Sequence, residues 1–399
     1  MQAHKNILYV LPSYGWGGAE LQTMHQLNYL TQKGNNNIFF LNLSNIIDGI
    51  DTIKLPKEKI IICDKSNIQT VAKAPVKTYL YLIRQTIKAV NQFLVTDIIA
   101  ILPLSHLVCR VVKIYFFLFK WKKIRLYTYY RDPDYQFYKE KGSFFKLYVK
   151  ATTLLAIFAD NFSIFNSKTS YKNVKKYSFV IKPHVIDNCL PLMEVKENKA
   201  VQYLESENIK LEGAFSILFP GRFMATKGHL FFFTAMQKFI ANNNLLPYKF
   251  KIIIAGYGSD KIADDEIKKG ANAIREYVYF TGMIENDLML SLMKAVNLVV
   301  IPSINEGFGN VAIEGLMQKS LLLTSNAGGL KNIVEHEKSG YQFEAGNEED
   351  FLTKVEFIYF NYQHLPIKKT DIFERYLQKY SIKHYFEKLN EYYPLNFKI

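Results

Sequence analysis

The sequence predicts an α/β protein built from two doubly wound parallel-sheet domains. Three observations point there. Short apolar, β-branched runs of strand length recur along the chain, and each is followed by a stretch of helical spacing. The alternation lapses once, between about residues 182 and 213, and then resumes. A length of 399 residues accommodates two cores, and 49% hydrophobic residues with 22% charged ones indicate a folded chain rather than a disordered one.

In the first half, strands are predicted at 7–12, 38–43, 59–63, 97–102, 124–130 and 162–165. Helices are predicted at 19–33, 71–93, 103–119 and 143–158, and Gly34 stands where a left-handed cap ends the first of them. The stretch from 182 to 213 contains Pro183, Pro191 and the charged run LESENIKLEG, and the domain boundary falls there, dividing 1–190 from 191–378. The second alternation has strands at 216–220, 249–255, 278–281, 298–302, 321–324 and 341–343. Its helices lie at 228–242, 261–276, 286–295, 309–319 and 348–359, with a short one after Gly329. The tail, 380–393, is a further amphipathic helix. Two similar α/β domains imply a cleft between them, where a ligand sits.

The most informative stretch is 297–315, NLVVIPSINEGFGNVAIEG. A buried parallel strand (Leu298, Val299, Val300, Ile301) stops at Pro302, turns through Gly307 and Gly309, and becomes a helix. Glu306 in the loop and Glu314 in the second helical turn bracket that junction, with seven residues between them. Open α/β sheets bind ligands just beyond such strand ends, and unpaired N–H groups at the helix start favour anionic or hydroxyl-rich ligands. Taken without the glycines and the buried strand, the two acids read more readily as solvated surface carboxylates.

Other loops repeat the pattern. Tyr14-Gly-Trp-Gly-Gly-Ala-Glu20 follows the first strand; with glycines at 15, 17 and 18 it is neither a dinucleotide fingerprint nor a Walker loop, and it reads as a tight turn or an anion site. Phe219-Pro-Gly-Arg-Phe-Met-Ala-Thr-Lys-Gly228 places Arg222 and Lys227 after one strand, two cations able to balance a diphosphate without a metal. Ala255-Gly-Tyr-Gly-Ser259 and Ser325-Asn-Ala-Gly-Gly-Leu330 are further glycine turns. The eight histidines are dispersed and show no metal spacing. His106, after a first-domain strand, reads either as a base facing the cleft or as a packed core residue.

Net charge is +14 and pI is near 9.3, which suits an acidic partner such as a nucleotide, an anionic membrane or nucleic acid. The basic-aromatic tract from Tyr115 to Arg125, continuing to Tyr148, reads as a membrane-surface element or as a buried helix with a solvated basic end. It matches no nucleic-acid module. Cys63, Cys109 and Cys189 are widely spaced and odd in number, which fits a reducing compartment. The apolar segment 7–11 is too short for a signal peptide, and Pro103, His106, Arg110 and Lys113 interrupt the window 98–119, so no spanning helix is expected.

Taken as an ordered set, Gly17-Gly18-Ala-Glu20, Gly221-Arg222…Lys227-Gly228, Glu306-Gly-Phe-Gly-Asn…Glu314-Gly and Gly328-Gly329 resemble the motifs of retaining glycosyltransferases of family four. The resemblance covers nearly the full length and is strongest from Phe215 to Phe343. It implies the GT-B fold: two Rossmann-like domains across a cleft, with 379–399 returning to pack on the first. It also implies a UDP- or GDP-linked nucleotide-sugar donor, no cofactor and no metal. Carried over residue by residue, Glu306 lies against the donor sugar, and Arg222 and Lys227 hold the diphosphate. The Phe308 and Gly309 amides meet sugar hydroxyls, Glu314 binds ribose, and Ile284, beside Met283, lies near the base. Gly17 and Gly18 approach the phosphates. Asn332 departs from the family's glutamate after the double glycine, and Tyr130-Arg-Asp-Pro133 only loosely resembles an acceptor-side segment of bacterial members.

The expected function is therefore retaining transfer of a hexose-type unit to a hydroxyl acceptor. That acceptor would be a lipid-linked or surface-polysaccharide precursor of the lipopolysaccharide or capsule kind. The expected place is the cytoplasm, at the inner face of the plasma membrane; a composition rich in Lys, Asn, Ile, Phe and Tyr is that of an AT-rich bacterial genome. A GT-B epimerase or phosphorylase, or a non-catalytic nucleic-acid-binding protein, are the rival readings.

Overall fold

The structure, a computed structural model, describes residues 5–14, 18–35, 37–66, 76–131, 150, 153–176, 178–195, 198–258 and 260–399. The chain forms two compact units, Met1–Pro191 with Ile382–Ile399, and Leu192–Ser381.

The first unit holds a seven-stranded sheet of β1 (Ile7–Leu11), β2 (Ile38–Asn42), β3 (Ile60–Ile62), β4 (Asp97–Ile101), β5 (Arg125–Tyr130), β6 (Phe162–Phe165) and β7 (Pro183–Val185). The order is β3-β2-β1-β4-β5-β6-β7 and every pair is parallel. Every residue of β1 and β4 is buried, because helices cover both faces of a parallel sheet and its central strands must be apolar throughout. The helices are α1 (Gly18–Gln32), α2 (Val76–Gln92), α3 (Pro103–Lys120), a helix at 153–159 (α4) and α5 (Lys168–Lys175). Gly34 does take the left-handed conformation, φ +71°, just past α1. Residues 71–75 of the second expected helix and 143–149 of the fourth lie outside the described residues.

The second unit repeats the plan with β8 (Phe215–Pro220), β9 (Phe250–Ala255), β10 (Val278–Gly282), β11 (Leu298–Ile301), β12 (Leu322–Ser325) and β13 (Tyr341–Phe343). Its six strands run parallel in the order β10-β9-β8-β11-β12-β13. The helices are α6 (Asn198–Ser206), α7 (His229–Asn242), α8 (Lys261–Gly270), α9 (Asn286–Ala295), α10 (Asn310–Met317), α11 (Leu330–Ile333), α12 (Glu348–Asn361) and α13 (Lys369–Lys379). The chain then re-enters the first unit as α14 (Ile382–Tyr392), where Phe386 stacks on Tyr29 at 5.4 Å and the Tyr385 and Tyr129 hydroxyls meet at 3.1 Å.

Differences from the sequence reading are local. The stretch read as patternless holds β7 and α6; β7 begins at Pro183, tolerated because it is an edge strand. The helix expected over 261–276 ends at Gly270 and continues as a 3-10 segment, Asn272–Tyr277, with a kink at Ile274. α5 and α13 were not anticipated.

Candidate active site

Within the second unit the strand order reverses between β8 and β11, which are neighbours in the sheet but run into loops that lead to opposite sides. Such a reversal opens a crevice beyond the strand ends. The loop after β8 carries Arg222 and Lys227, and the loop after β11 carries Glu306.

Backbone geometry clamps these two loops together. The N–H groups of Ile304 and Asn305 donate to the Thr226 carbonyl at 2.8 and 3.3 Å. Gly228, φ +78°, passes so near Pro302 that a Cβ there would sit 2.2 Å from its carbonyl oxygen. Gly328 is tighter still: φ is +52° and an added Cβ would lie 1.6 Å from the Glu306 carbonyl oxygen. Glycine is therefore required at both points, on steric and conformational grounds. Gly329 donates its N–H to the same Glu306 carbonyl at 3.3 Å.

The clamp brings Lys227 and Glu306, 79 residues apart, into an ion pair: Lys227 Nζ donates to Glu306 Oε2 at 2.6 Å. Ser303 Oγ donates to that same oxygen at 3.1 Å, and Ser325 Oγ braces the Ser303 carbonyl at 2.6 Å. Glu306 Oε1 has no partner among the described residues. The side chains are 22% and 14% exposed, so the pair is screened by little water yet remains reachable. Arg222 is exposed, on the same loop as Lys227, and has no ion-pair partner among the described residues; it is not brought onto Glu306.

Phe308 is buried against Tyr380, with ring centroids at 6.4 Å, and Gly309, φ +103°, precedes α10. The Phe308 and Gly309 N–H groups donate to no acceptor among the described residues, which leaves two donors at a helix start. Glu314, in the second turn of α10, has no side-chain partner among the described residues, and desolvation pushes its carboxyl up to about 7. Ile284 is half-buried and Met283 exposed in the loop after β10. Gly18 is the exposed first residue of α1 in the other unit, and Gly17 lies outside the described residues. Asn332 is exposed on α11, where its carbonyl accepts from Tyr380 Oη at 2.8 Å and Arg375 Nη2 at 2.7 Å.

His106 takes the packed alternative. It is buried, its Nε2 lies 2.9 Å from the Tyr129 carbonyl and its ring rests on Tyr130. Burial, and then the Arg110 charge, push its pKa down to about 3. Two residues near the site carried no sequence signal. Ser303 follows the Pro302 strand stop with no pattern of its own, and its tie to Glu306 appears only in three dimensions. His229 is buried under the Lys227 loop, stacked on Phe219 at 4.2 Å, with its pKa pushed down to about 4 by burial.

Residues 214–361 match the family model described as glycosyl transferases group 1. The chain is 36% identical over 126 residues to an uncharacterised glycosyltransferase of Methanocaldococcus jannaschii, and 28% identical over 126 residues to a D-inositol 3-phosphate glycosyltransferase of Jonesia denitrificans. Each match covers 31% of this chain and 30% of the relative. The crystal structure of Anabaena Alr3699/HepE in complex with UDP superposes with a TM-score of 0.76 at 18% identity, covering 97% of this chain and 99% of that one. That likeness establishes the fold: two parallel-sheet, Rossmann-like domains of the GT-B type. The loops that hold Lys227 and Glu306 together thus lie within residues 214–361, the part of the second unit that matches the glycosyl transferases group 1 model.

Proposed function

We propose that this protein is a retaining glycosyltransferase that moves a sugar from a UDP- or GDP-linked donor to a hydroxyl acceptor. The observation that carries the reading is the Lys227–Glu306 pair at the strand-order reversal of a glycosyl transferases group 1 domain. In the reaction the bond from the anomeric carbon to the diphosphate oxygen breaks with its electron pair on the diphosphate. The acceptor oxygen bonds to that carbon on the same face and passes its proton to the departing diphosphate oxygen, and nucleoside diphosphate leaves. Lys227 and Arg222 offset the charge that grows on the leaving group, a contribution made as charge develops. Lys227 then exchanges one anion for another, which releases Glu306 Oε2 towards the sugar.

In this reading the free Phe308 and Gly309 amides take sugar hydroxyls, Glu314 takes the ribose, and Ile284 lies near the base. UDP bound to the Anabaena protein supports a nucleotide diphosphate ligand. No metal is required, since two cations serve the diphosphate. The acceptor is proposed to be a lipid-linked or surface-polysaccharide precursor, used at the inner face of the plasma membrane. Among the described residues no helix is long and apolar enough to cross a membrane, so the association proposed is peripheral.

A panel of UDP- and GDP-sugars scored for thermal stabilisation tests the donor, because a ligand that binds the folded state raises apparent stability by mass action. The stabilising sugar, supplied with candidate acceptors, should yield product of unchanged anomeric configuration. Stabilisation by none of them ends the transferase reading, and interconversion of the sugar without acceptor replaces it with an epimerase.

A further inference from the structure

We propose that one edge of the first unit, where β4 to β7 begin, rests on the surface of an anionic phospholipid bilayer. This identifies the face that meets the membrane and rests on the peripheral-association part of the reading above, not on its chemistry.

In a parallel α/β unit each helix delivers the chain to the start of the next strand, so α2, α3, α4 and α5 all end at a single edge. It is the edge opposite the strand ends that lead into α1 and α3. Polar turns are expected there. Instead Leu94 precedes β4, Trp121 precedes β5, Phe158 precedes β6 and Phe179 precedes β7, and all four are exposed, Trp121 by 90% and Phe158 by 77%. The last turn of α3 adds exposed Phe117 and Phe119. Lys113, midway along α3, donates to the Ala159 carbonyl and, at 2.6 Å, to Asn161 Oδ1, which ties α3 to the end of α4. Leu94 and Trp121 both have φ near +50°, a conformation glycine or asparagine takes more easily. A large apolar side chain is kept at each turn and held out in water, the kind of local strain that gathers at functional surfaces.

The charges select the occupant. Lys120, Lys123, Lys175 and Lys176 are exposed along this edge. Its acids are spent inside the fold: Asp97 pairs with Arg125 at 2.6 Å and Asp160 with Arg110 at 2.7 Å. From Ile98 to Arg131 the sequence has no Asp or Glu at all. Aromatic rings seated at headgroup depth, with lysines reaching anionic lipid, are how a protein lies on a bilayer without crossing it. A second copy fits poorly, because two lysine-lined edges repel each other.

The test is co-sedimentation of the full chain with vesicles of phosphatidylglycerol and phosphatidylcholine, against vesicles of phosphatidylcholine alone. Binding should be about tenfold stronger to the anionic vesicles and should weaken with salt. Trp121→Ser, Phe158→Ser and the double change Lys120→Glu with Lys123→Glu should each lower partitioning about tenfold. All are surface changes, and circular dichroism and stabilisation by the donor sugar should match the unaltered protein. Equal binding to both vesicle types, no binding to either, or variants that bind as the parent does overturn the proposal. So does a Trp121→Ser change that abolishes self-association while vesicle binding persists. Failure of every nucleotide sugar to stabilise the protein would sink the transferase reading and leave the vesicle result standing.

Discussion

The two units are built on one plan and filled with different chemistry. Around each reversal the strand order is equivalent, β2-β1-β4-β5 in the first unit and β9-β8-β11-β12 in the second. In the second, the loops beyond the reversal bring a lysine onto a glutamate and are held by glycines in close backbone contact. In the first, the corresponding position after β4 opens with Leu102 at φ +70° and Pro103, and then buries His106 against Tyr129 and Tyr130. The family match is confined to 214–361. A strand-order reversal therefore supplies a crevice, and the residues placed there decide what it does.

The sharpest way to break this contrast is to disarm the second unit. Glu306→Gln and Lys227→Ala should each lower transfer by about 10²–10³-fold with the fold retained, measured as turnover beside circular dichroism. Turnover at the parent's rate in both variants would remove the site from this loop pair.

Next comes the glycine clamp. Gly328→Ala drives a methyl into the Glu306 carbonyl at a positive φ and should cost about 3 kcal/mol or more, with activity lost alongside. Gly34→Ala, at φ +71° with nothing within 4 Å of the new methyl, should cost only about 1 kcal/mol of backbone strain. Comparable losses in urea titrations of the two variants would mean that close approach is not what distinguishes the units.

Two desolvated groups, one in each unit, should respond oppositely to pH. Glu314 holds its proton more tightly when folded, its pKa raised from 4.5 to about 7. Between those values the folded state binds the extra proton, so stability falls as pH rises from about 4.5 to about 7 and then levels off. Glu314 contributes about 3 kcal/mol of change, opposed below pH 6.5 by His229, whose lowered pKa acts the other way, and Glu314→Gln should remove the Glu314 part. His106 is shifted the other way, from 6.5 to about 3. Its contribution is whole above pH 6.5 and is lost as pH falls below that. Urea titrations across pH of the parent beside Glu314→Gln isolate the Glu314 slope, and Trp121, in the first unit, reports on the unit that holds His106.

Much of the fold could be read from local pattern. The runs at 97–102 and 298–302 are apolar on both faces because the strands are covered on both faces, and they appear as β4 and β11 with ends shifted by a residue. The elements that escaped are short or polar: β7 has three residues and starts with proline, and α5 carries lysines on most of its surface. The tract from Tyr115 is part buried and part exposed as far as Arg131, and 132–148 lie outside the described residues. Phe116 is sealed in the core while Phe117, Phe119 and Trp121 face water, and Leu126–Tyr130 are buried in β5. At the candidate site, Arg222, Lys227 and Glu306 were legible as charges beside glycine turns. That Lys227 and Ser303 share one oxygen of Glu306 was not.

The chain by itself determined its alternation of strands and helices, its break near residue 190, and the inventory of glycines and charges at the strand ends. These depend on side-chain periodicity and backbone preference within a dozen residues, which are local properties. Tertiary structure decided which of those groups touch: that β8 lies beside β11, so that Lys227 reaches Glu306 across 79 residues, and that His106 is sealed while Trp121 is exposed. Such contacts follow from the order in which crossovers lay strands side by side, and no stretch of local sequence records that order.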